Sequence, residues 1–112
     1  MAYKLLDAVS AAGVSSPIWL SGAGEDHSVQ VVITGGTVVV ISLEGTLDNR
    51  GAASPSWFII GQYTFDAADL AAKKVLFHVN SKVVEGIRLN LNTFTHVGQT
   101  LTAKYSPERL AA

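Results

Sequence analysis

The sequence predicts an all-β fold, an antiparallel β-sandwich or jelly roll of about seven to eight strands with at most one short helical turn, and three observations carry that expectation. Ile87, Leu89 and Leu91 alternate strictly with Arg88, Asn90 and Asn92, which is the period of a strand with one wet face. Val38, Val39, Val40 and Ile41 form an unbroken β-branched run, suited to a strand that is covered on both faces by its own fold or by a neighbouring subunit. Glycine, proline, asparagine and serine clusters punctuate the chain at intervals of about 8 to 12 residues, the spacing of short strands in two stacked layers.

The elements follow in order. Tyr3 to Val9 reads as a first strand, and the small-residue run Ser10 to Ser16 before Pro17 reads as a flexible connection. Ile18 to Leu20 is a short strand, followed by a turn-rich stretch from Ser21 to Asp26. From His27 to Thr34, Val29, Val31 and Ile33 share one face while Ser28 and Gln30 share the other, with Val32 breaking the polar side. Gly35-Gly36 is a two-residue hairpin signal that needs positive φ, so Thr37 to Glu44 is expected as the return strand. Turn formers from Asp48 to Ser56 make an exposed loop, and Trp57 to Phe65 re-enters a sheet.

Asp66 to Lys74 is the one helix-prone stretch, acidic early and basic late, and long enough for one or two turns. Val75 to Val79 and Val83 to Phe94 are strands joined across Asn80-Ser81-Lys82, and Gln99 to Tyr105 is the last strand before Pro107. The expected organisation is an N-terminal strand or arm with its connection over 1–16 and a single β-sandwich domain over 17–112.

Composition limits the partners. With 112 residues the chain suits one core, because two would each be marginal at half the length. Charged residues are 15% of the chain, against about 25% in an average soluble domain, which suggests that a partner covers part of the surface. The 8 basic and 9 acidic side chains are spread along the sequence, so neither nucleic acid nor an anionic membrane is expected as a partner. Cysteine is absent, which removes disulfides and thiolate chemistry, and no apolar run approaches the ~20 residues of a membrane span. The N-terminal run is interrupted by Lys4 and Asp7, unlike a signal peptide, so synthesis and assembly in the cytosol are expected.

Reactive side chains do not cluster in the sequence. His27, His78 and His96 lie far apart without metal-ligand spacing, and no serine sits in a nucleophile elbow. Asp48, Asp66, Asp69 and Glu85 could in principle form a glycosidase pair, but a chain of this size leaves little room for a cleft. Catalytic residues, metal ligands and cofactors are therefore expected to be none. The aromatics Trp19, Trp57, Tyr63, Phe65, Phe77, Phe94 and Tyr105 sit within alternating strands and read mainly as core, with Trp57 at a loop-to-strand junction the first to test as a sugar platform.

Val-Val-Val-Ile-Ser-Leu-Glu-Gly-Thr-Leu-Asp at 38–48, Trp-Phe-Ile-Ile-Gly at 57–61 and Gly-Ile-Arg-Leu-Asn-Leu at 86–91 together resemble short virion proteins of tailed bacteriophages. The shared pattern is a strand ending in Glu-Gly-Ser-x-Asp-Gly, a loop, a Trp opening an apolar strand, and a late strand with an Arg before alternating residues. Thr46 stands here for Ser and Asn49 for the usual Gly, and the likeness covers about 28–92. It implies a non-enzymatic β-sandwich on the capsid exterior, commonly a trimer, that cements neighbouring major capsid protein subunits. A tail, neck or head-fibre component, or a virion-mounted carbohydrate-binding module, fits the same pattern. On this reading the candidate interface residues are Tyr3, Leu5 and Leu6, on an arm pairing with a neighbour's edge strand, together with Trp57 and the polar row Arg88, Asn90 and Asn92.

Overall fold

The computed structural model describes residues 3–24, 26–48 and 50–108. Its elements are β1 (Tyr3–Val9), β2 (Gly13–Val14), β3 (Ile18–Gly24), β4 (Asp26–Ile33), β5 (Val38–Thr46), β6 (Phe58–Thr64), α1 (Ala67–Ala72), β7 (Lys74–Val79), β8 (Val84–Thr95) and β9 (Leu101–Glu108). They form two antiparallel sheets, one ordered β1-β9-β4-β7 and the other β2-β8-β5-β6, with β3 also pairing β8. The fold is the expected all-β sandwich with one short helix.

The alternating strands bury the faces their sequences indicate. Val29 and Val31 of β4, Ile41 and Leu43 of β5, and Ile87 and Leu89 of β8 are all 0% exposed. Each such side chain removed from water contributes about 1.5–3 kcal/mol, which is what holds one sheet on the other. The alternation in β8 stops at Asn92, the extra residue of a bulge between Val40↔Thr93 and Ile41↔Leu91. Beyond the bulge the phase shifts, so Phe94 is buried although it follows Leu91 by an odd interval.

Gly35-Gly36 does not close a hairpin. Both glycines have positive φ, 154° and 147°, as the turn signal required. The chain uses them to cross from one sheet to the other, because β4 pairs β7 and β9 whereas β5 pairs β6 and β8. A crossover places the apolar faces of β4 and β5 opposite each other in the core; a hairpin would have laid them side by side. Thr34 N–H donates to Thr100 O at 3.0 Å and Thr37 N–H to Thr95 O at 2.9 Å, tying both ends of the crossing to the sheets.

The N-terminal segment also departs from expectation. Tyr3–Val9 is a strand, but it lies along β9 of its own chain, with Leu6 only 5% exposed and Leu5 packed against the core. Apolar burial within the chain thus holds down the segment expected to reach out as an arm. The connection from Ser10 to Ser16 is tied down too, since Gly13 and Val14 pair with Leu91 and Asn90, and Ser15 exchanges hydrogen bonds with the backbone of Leu89 at 2.8 and 2.9 Å. The stretch expected as a turn after Leu20 continues as strand to Gly24, and Glu25 lies outside the described residues.

Helix α1 is a single capped piece. The Asp66 side chain accepts from Asp69 N–H at 2.8 Å and Asp69 accepts from Asp66 N–H at 3.1 Å, a reciprocal capping box. Lys73, expected to serve the helix dipole, is instead the left-handed C-cap with φ 61°, and no basic residue lies in the last turn. The backbone bond to Asp66 and the hydroxyl of Tyr63 at 2.8 Å hold the Asp69 carboxyl below its ordinary value, and the same contact raises the Tyr63 phenol.

Tyr105 is 0% exposed, and burial pushes its phenol well above the ordinary value of 10.0, with the nearby phenol of Tyr3 adding to the shift. Because the fold favours the neutral phenol, this contribution is complete below the unfolded value near 10 and is lost as pH rises toward the folded one. Alkaline titration is expected to ionise Tyr105 only as the domain unfolds. The check is whether tyrosinate absorbance and loss of near-ultraviolet circular dichroism coincide for that residue, using Tyr105→Phe to assign its share; ionisation of Tyr105 with the fold intact would refute it.

Candidate functional site: the outer face of the second sheet

The central strand β5 presents Ser42, Glu44 and Thr46 on the outer face of the second sheet, where all three are buried, 0%, 7% and 2% exposed. Registry explains why polar side chains are tolerated there. Glu44 lies opposite Arg88, Ser42 opposite Asn90 on one side and Gln62 on the other, and Thr46 opposite Gly86. Arg88 Nε donates to Glu44 Oε1 at 2.6 Å, and Asn90 Nδ2 donates to Glu44 Oε2 at 3.1 Å, so both carboxylate oxygens are satisfied. The Ser42 hydroxyl donates to Asn92 Oδ1 at 2.5 Å and accepts from Gln62 Nε2 at 2.9 Å. A buried carboxylate is costly unless it is paired and hydrogen-bonded in this way.

Tryptophan closes one end of this network. The Arg88 guanidinium stands 4.7 Å from the centroid of the Trp57 ring, and the Trp19 ring lies 5.9 Å from that of Trp57 at a tilt of 47°. Trp19 pairs in register with Gly86, and its six-membered ring fills the space above that glycine, where a Cβ would stand 2.7 Å from Cε3 and Cζ3. A side chain at position 86 would displace the indole.

Four of the seven expected interface residues, Trp57, Arg88, Asn90 and Asn92, are therefore brought together on one face. Tyr3, Leu5 and Leu6 are not, since β1 belongs to the other sheet. Ser42, Glu44, Gln62 and Trp19 also belong to this face and are not among the expected interface residues. Glu44 is hidden by the apolar run before it, although Ser42 and Glu44 already alternate with Ile41 and Leu43. Trp19 carries no local sign of its seat on a glycine of a distant strand.

A second feature lies at one end of the sandwich. An open cleft of about 300 Å³ is lined by Leu47, Phe58, Ile60, Val83 and Val84, with Asp48, Ser56 and Lys82 among its polar groups. Around it Leu47 is 70%, Phe58 65% and Val83 51% exposed. Both rims are fixed. Asp48 Oδ2 accepts from Ser56 N–H at 2.6 Å on one side, while on the other Asp26 Oδ1 accepts from Ser81 N–H at 3.0 Å and His27 Nε2 bonds Lys82 O at 2.8 Å.

The histidines are dispersed. His27 is buried against Tyr105, with Nδ1 at 2.6 Å from the phenol oxygen; His78 Nδ1 meets Ser28 Oγ at 2.8 Å; and His96 stacks on Phe94 at 4.3 Å. The Ser28–His78 pair pairs a hydroxyl with a base, but it sits at facing positions of β4 and β7, where the strand amides belong to the ladder and do not converge on an oxyanion. Among the described residues no three His, Cys, Asp or Glu side chains gather in a metal-binding arrangement, and no helix is long and apolar enough to cross a membrane. The chain matches no family model and no curated protein.

Proposed function

We propose that this chain is a non-enzymatic structural protein of a phage virion, a capsid decoration protein that seats its apolar end across neighbouring major capsid protein subunits and so stabilises the head. The observation that carries the reading is the group of three large side chains, Leu47, Phe58 and Val83, each more than half exposed around a cleft with hydrogen-bonded rims. Contiguous exposed apolar surface on a soluble domain marks a contact site, and the charge content of 15% leaves little else to keep that end in water. The resemblance of 38–48, 57–61 and 86–91 to tailed-phage virion proteins supplies the kind of partner. A cement protein of this sort binds only the assembled shell, so each site adds its binding free energy to shell stability, and repetition over many sites makes a modest affinity sufficient.

Two measurements test it. A reconstruction of the assembled particle is expected to place the chain on the capsid exterior with the Phe58 end against capsid subunits; density in the tail, neck or a head fibre would replace the cement reading with one of those. In co-sedimentation with shells stripped of the protein, Phe58→Asp is expected to weaken binding about 30-fold, the effect of losing a ~2 kcal/mol apolar anchor, with the melting temperature unchanged. Undiminished binding of that variant would remove the apolar end from the contact.

A further inference from the structure

On the outer face of the second sheet, the groups that point into the network are occupied and those left over reach solvent. Glu44 gives both oxygens to Arg88 and Asn90, and Ser42 acts as donor to Asn92 and acceptor from Gln62. Among the described residues, what remains without a partner forms a row along β8 from its Trp19 end to Asn92: the indole N–H groups of Trp19 and Trp57, the terminal guanidinium nitrogens of Arg88, the amide oxygen of Asn90 and the amide nitrogen of Asn92. Among the described residues the one buried side-chain nitrogen or oxygen that lacks a partner is Nδ1 of His96, so every member of this set is open to water.

The charge of the set is cancelled locally, because Arg88 and Glu44 neutralise one another at 2.6 Å. Polyanions are therefore poorly served: a nucleic acid would offer bases for the indoles but requires unpaired cations for its phosphates, and a uronate or sialyl glycan meets Glu44 beside Arg88. A neutral saccharide meets none of these objections. The C–H face of a pyranose packs on an indole, and neighbouring hydroxyls, each donor and acceptor at once, match planar side chains that offer donors at Arg88 and Asn92 and an acceptor at Asn90. The network beneath fixes those side chains before any ligand arrives, which lowers the ordering cost of binding.

We infer that this face is a binding site for a neutral saccharide, with Trp19 and Trp57 as the stacking surface and Arg88, Asn90 and Asn92 as the hydroxyl-binding row. The inference is independent of the capsid reading, since it uses a different surface and can be measured on the purified chain alone.

The chain has 2 tryptophans, so a nitrogen-labelled sample gives two indole N–H resonances that report on the site directly. Titration with maltohexaose, cellohexaose and chitohexaose, with a glycan array in parallel, is expected to shift both resonances for at least one neutral glycan, with a dissociation constant on the order of 1 mM or tighter that changes little with salt. Asn92→Ala, which removes the outward amide and also leaves the buried Ser42 hydroxyl without its acceptor, is expected to weaken that binding about tenfold and to lower the melting temperature by about 5 °C with the fold retained, and Trp19→Ala to abolish binding. If neither indole resonance moves with any of the three oligosaccharides and the array retains nothing, the site does not exist. Binding confined to acidic glycans and lost with added salt would overturn the neutral class, and undiminished affinity of Asn92→Ala would remove the polar row.

Discussion

Replacing His27 with leucine is expected to cost about 3 kcal/mol of stability and to lower the melting temperature by about 10 °C or more for a domain of this size. His27 is 1% exposed, Nε2 lies 2.8 Å from the carbonyl oxygen of Lys82, and Nδ1 lies 2.6 Å from the hydroxyl of Tyr105. A carbonyl can only accept, so Nε2 carries the proton, and Nδ1 then accepts the hydroxyl of Tyr105. Leucine keeps much of the volume but leaves the phenol O–H and the Lys82 carbonyl without partners, at about 1–3 kcal/mol for each buried orphan. Tyr105→Phe leaves only Nδ1 unsatisfied and is expected to cost about 1–2 kcal/mol. The informative comparison is the double variant. With both groups replaced, only the Lys82 carbonyl is stranded, so His27→Leu/Tyr105→Phe should be less destabilised than the sum of its parts. Urea denaturation followed by circular dichroism measures all three, and strict additivity would mean that the pair does not act as a unit. His27→Leu should also loosen the Lys82 rim of the apolar cleft, leaving Ser81 N–H on Asp26 at 3.0 Å as the remaining tie.

Which residues face the core was legible from period alone, since Val29, Val31 and Ile33 of β4 and Ile87, Leu89 and Leu91 of β8 are all at most 2% exposed. Which strand lies beside which was not. Gly35-Gly36 declares positive φ, but whether the chain then turns back or crosses over depends on β7 and β9, which supply the partners of β4 from far along the sequence. The same distinction runs through the site. Arg88, Asn90 and Asn92 share a face because they share a strand period, a local property. Their connection to Trp57, Glu44 and Trp19 arises from pairings of β8 with β5 and β3 and of β5 with β6, and the seat of Trp19 exists only because position 86 lacks a side chain. The N-terminal strand shows the limit from the other side: nothing in Tyr3 to Val9 distinguishes an arm that pairs with a neighbour from a strand that pairs with β9, because both require the same extended, half-apolar segment.

The Glu44–Arg88 pair should prove far more costly to break than to remove. Glu44 has a side chain 9% exposed and Arg88 one 26% exposed, at 2.6 Å, so solvent screening is weak for the acid and partial for the base. Arg88→Met leaves a nearly dry carboxylate held by Asn90 alone and is expected to cost about 3 kcal/mol; Glu44→Ala leaves a guanidinium that can still turn toward water and over Trp57, and should cost about 2 kcal/mol. Glu44→Gln keeps an acceptor for Arg88 but turns an N–H toward Asn90, for about 1 kcal/mol. The double change Glu44→Met/Arg88→Met removes both charges and fills the space with apolar atoms, so it is expected to lie within about 1 kcal/mol of the parent. Thermal and urea unfolding of the four variants give the order, and a double variant as unstable as Arg88→Met would show that the pair is held by something other than mutual charge compensation. That double variant also separates the fold from the face: if charge compensation is what lets Glu44 sit on β5, the variant stays folded with its two indole resonances in place, while the outward donors that Arg88 supplies to a saccharide hydroxyl are gone.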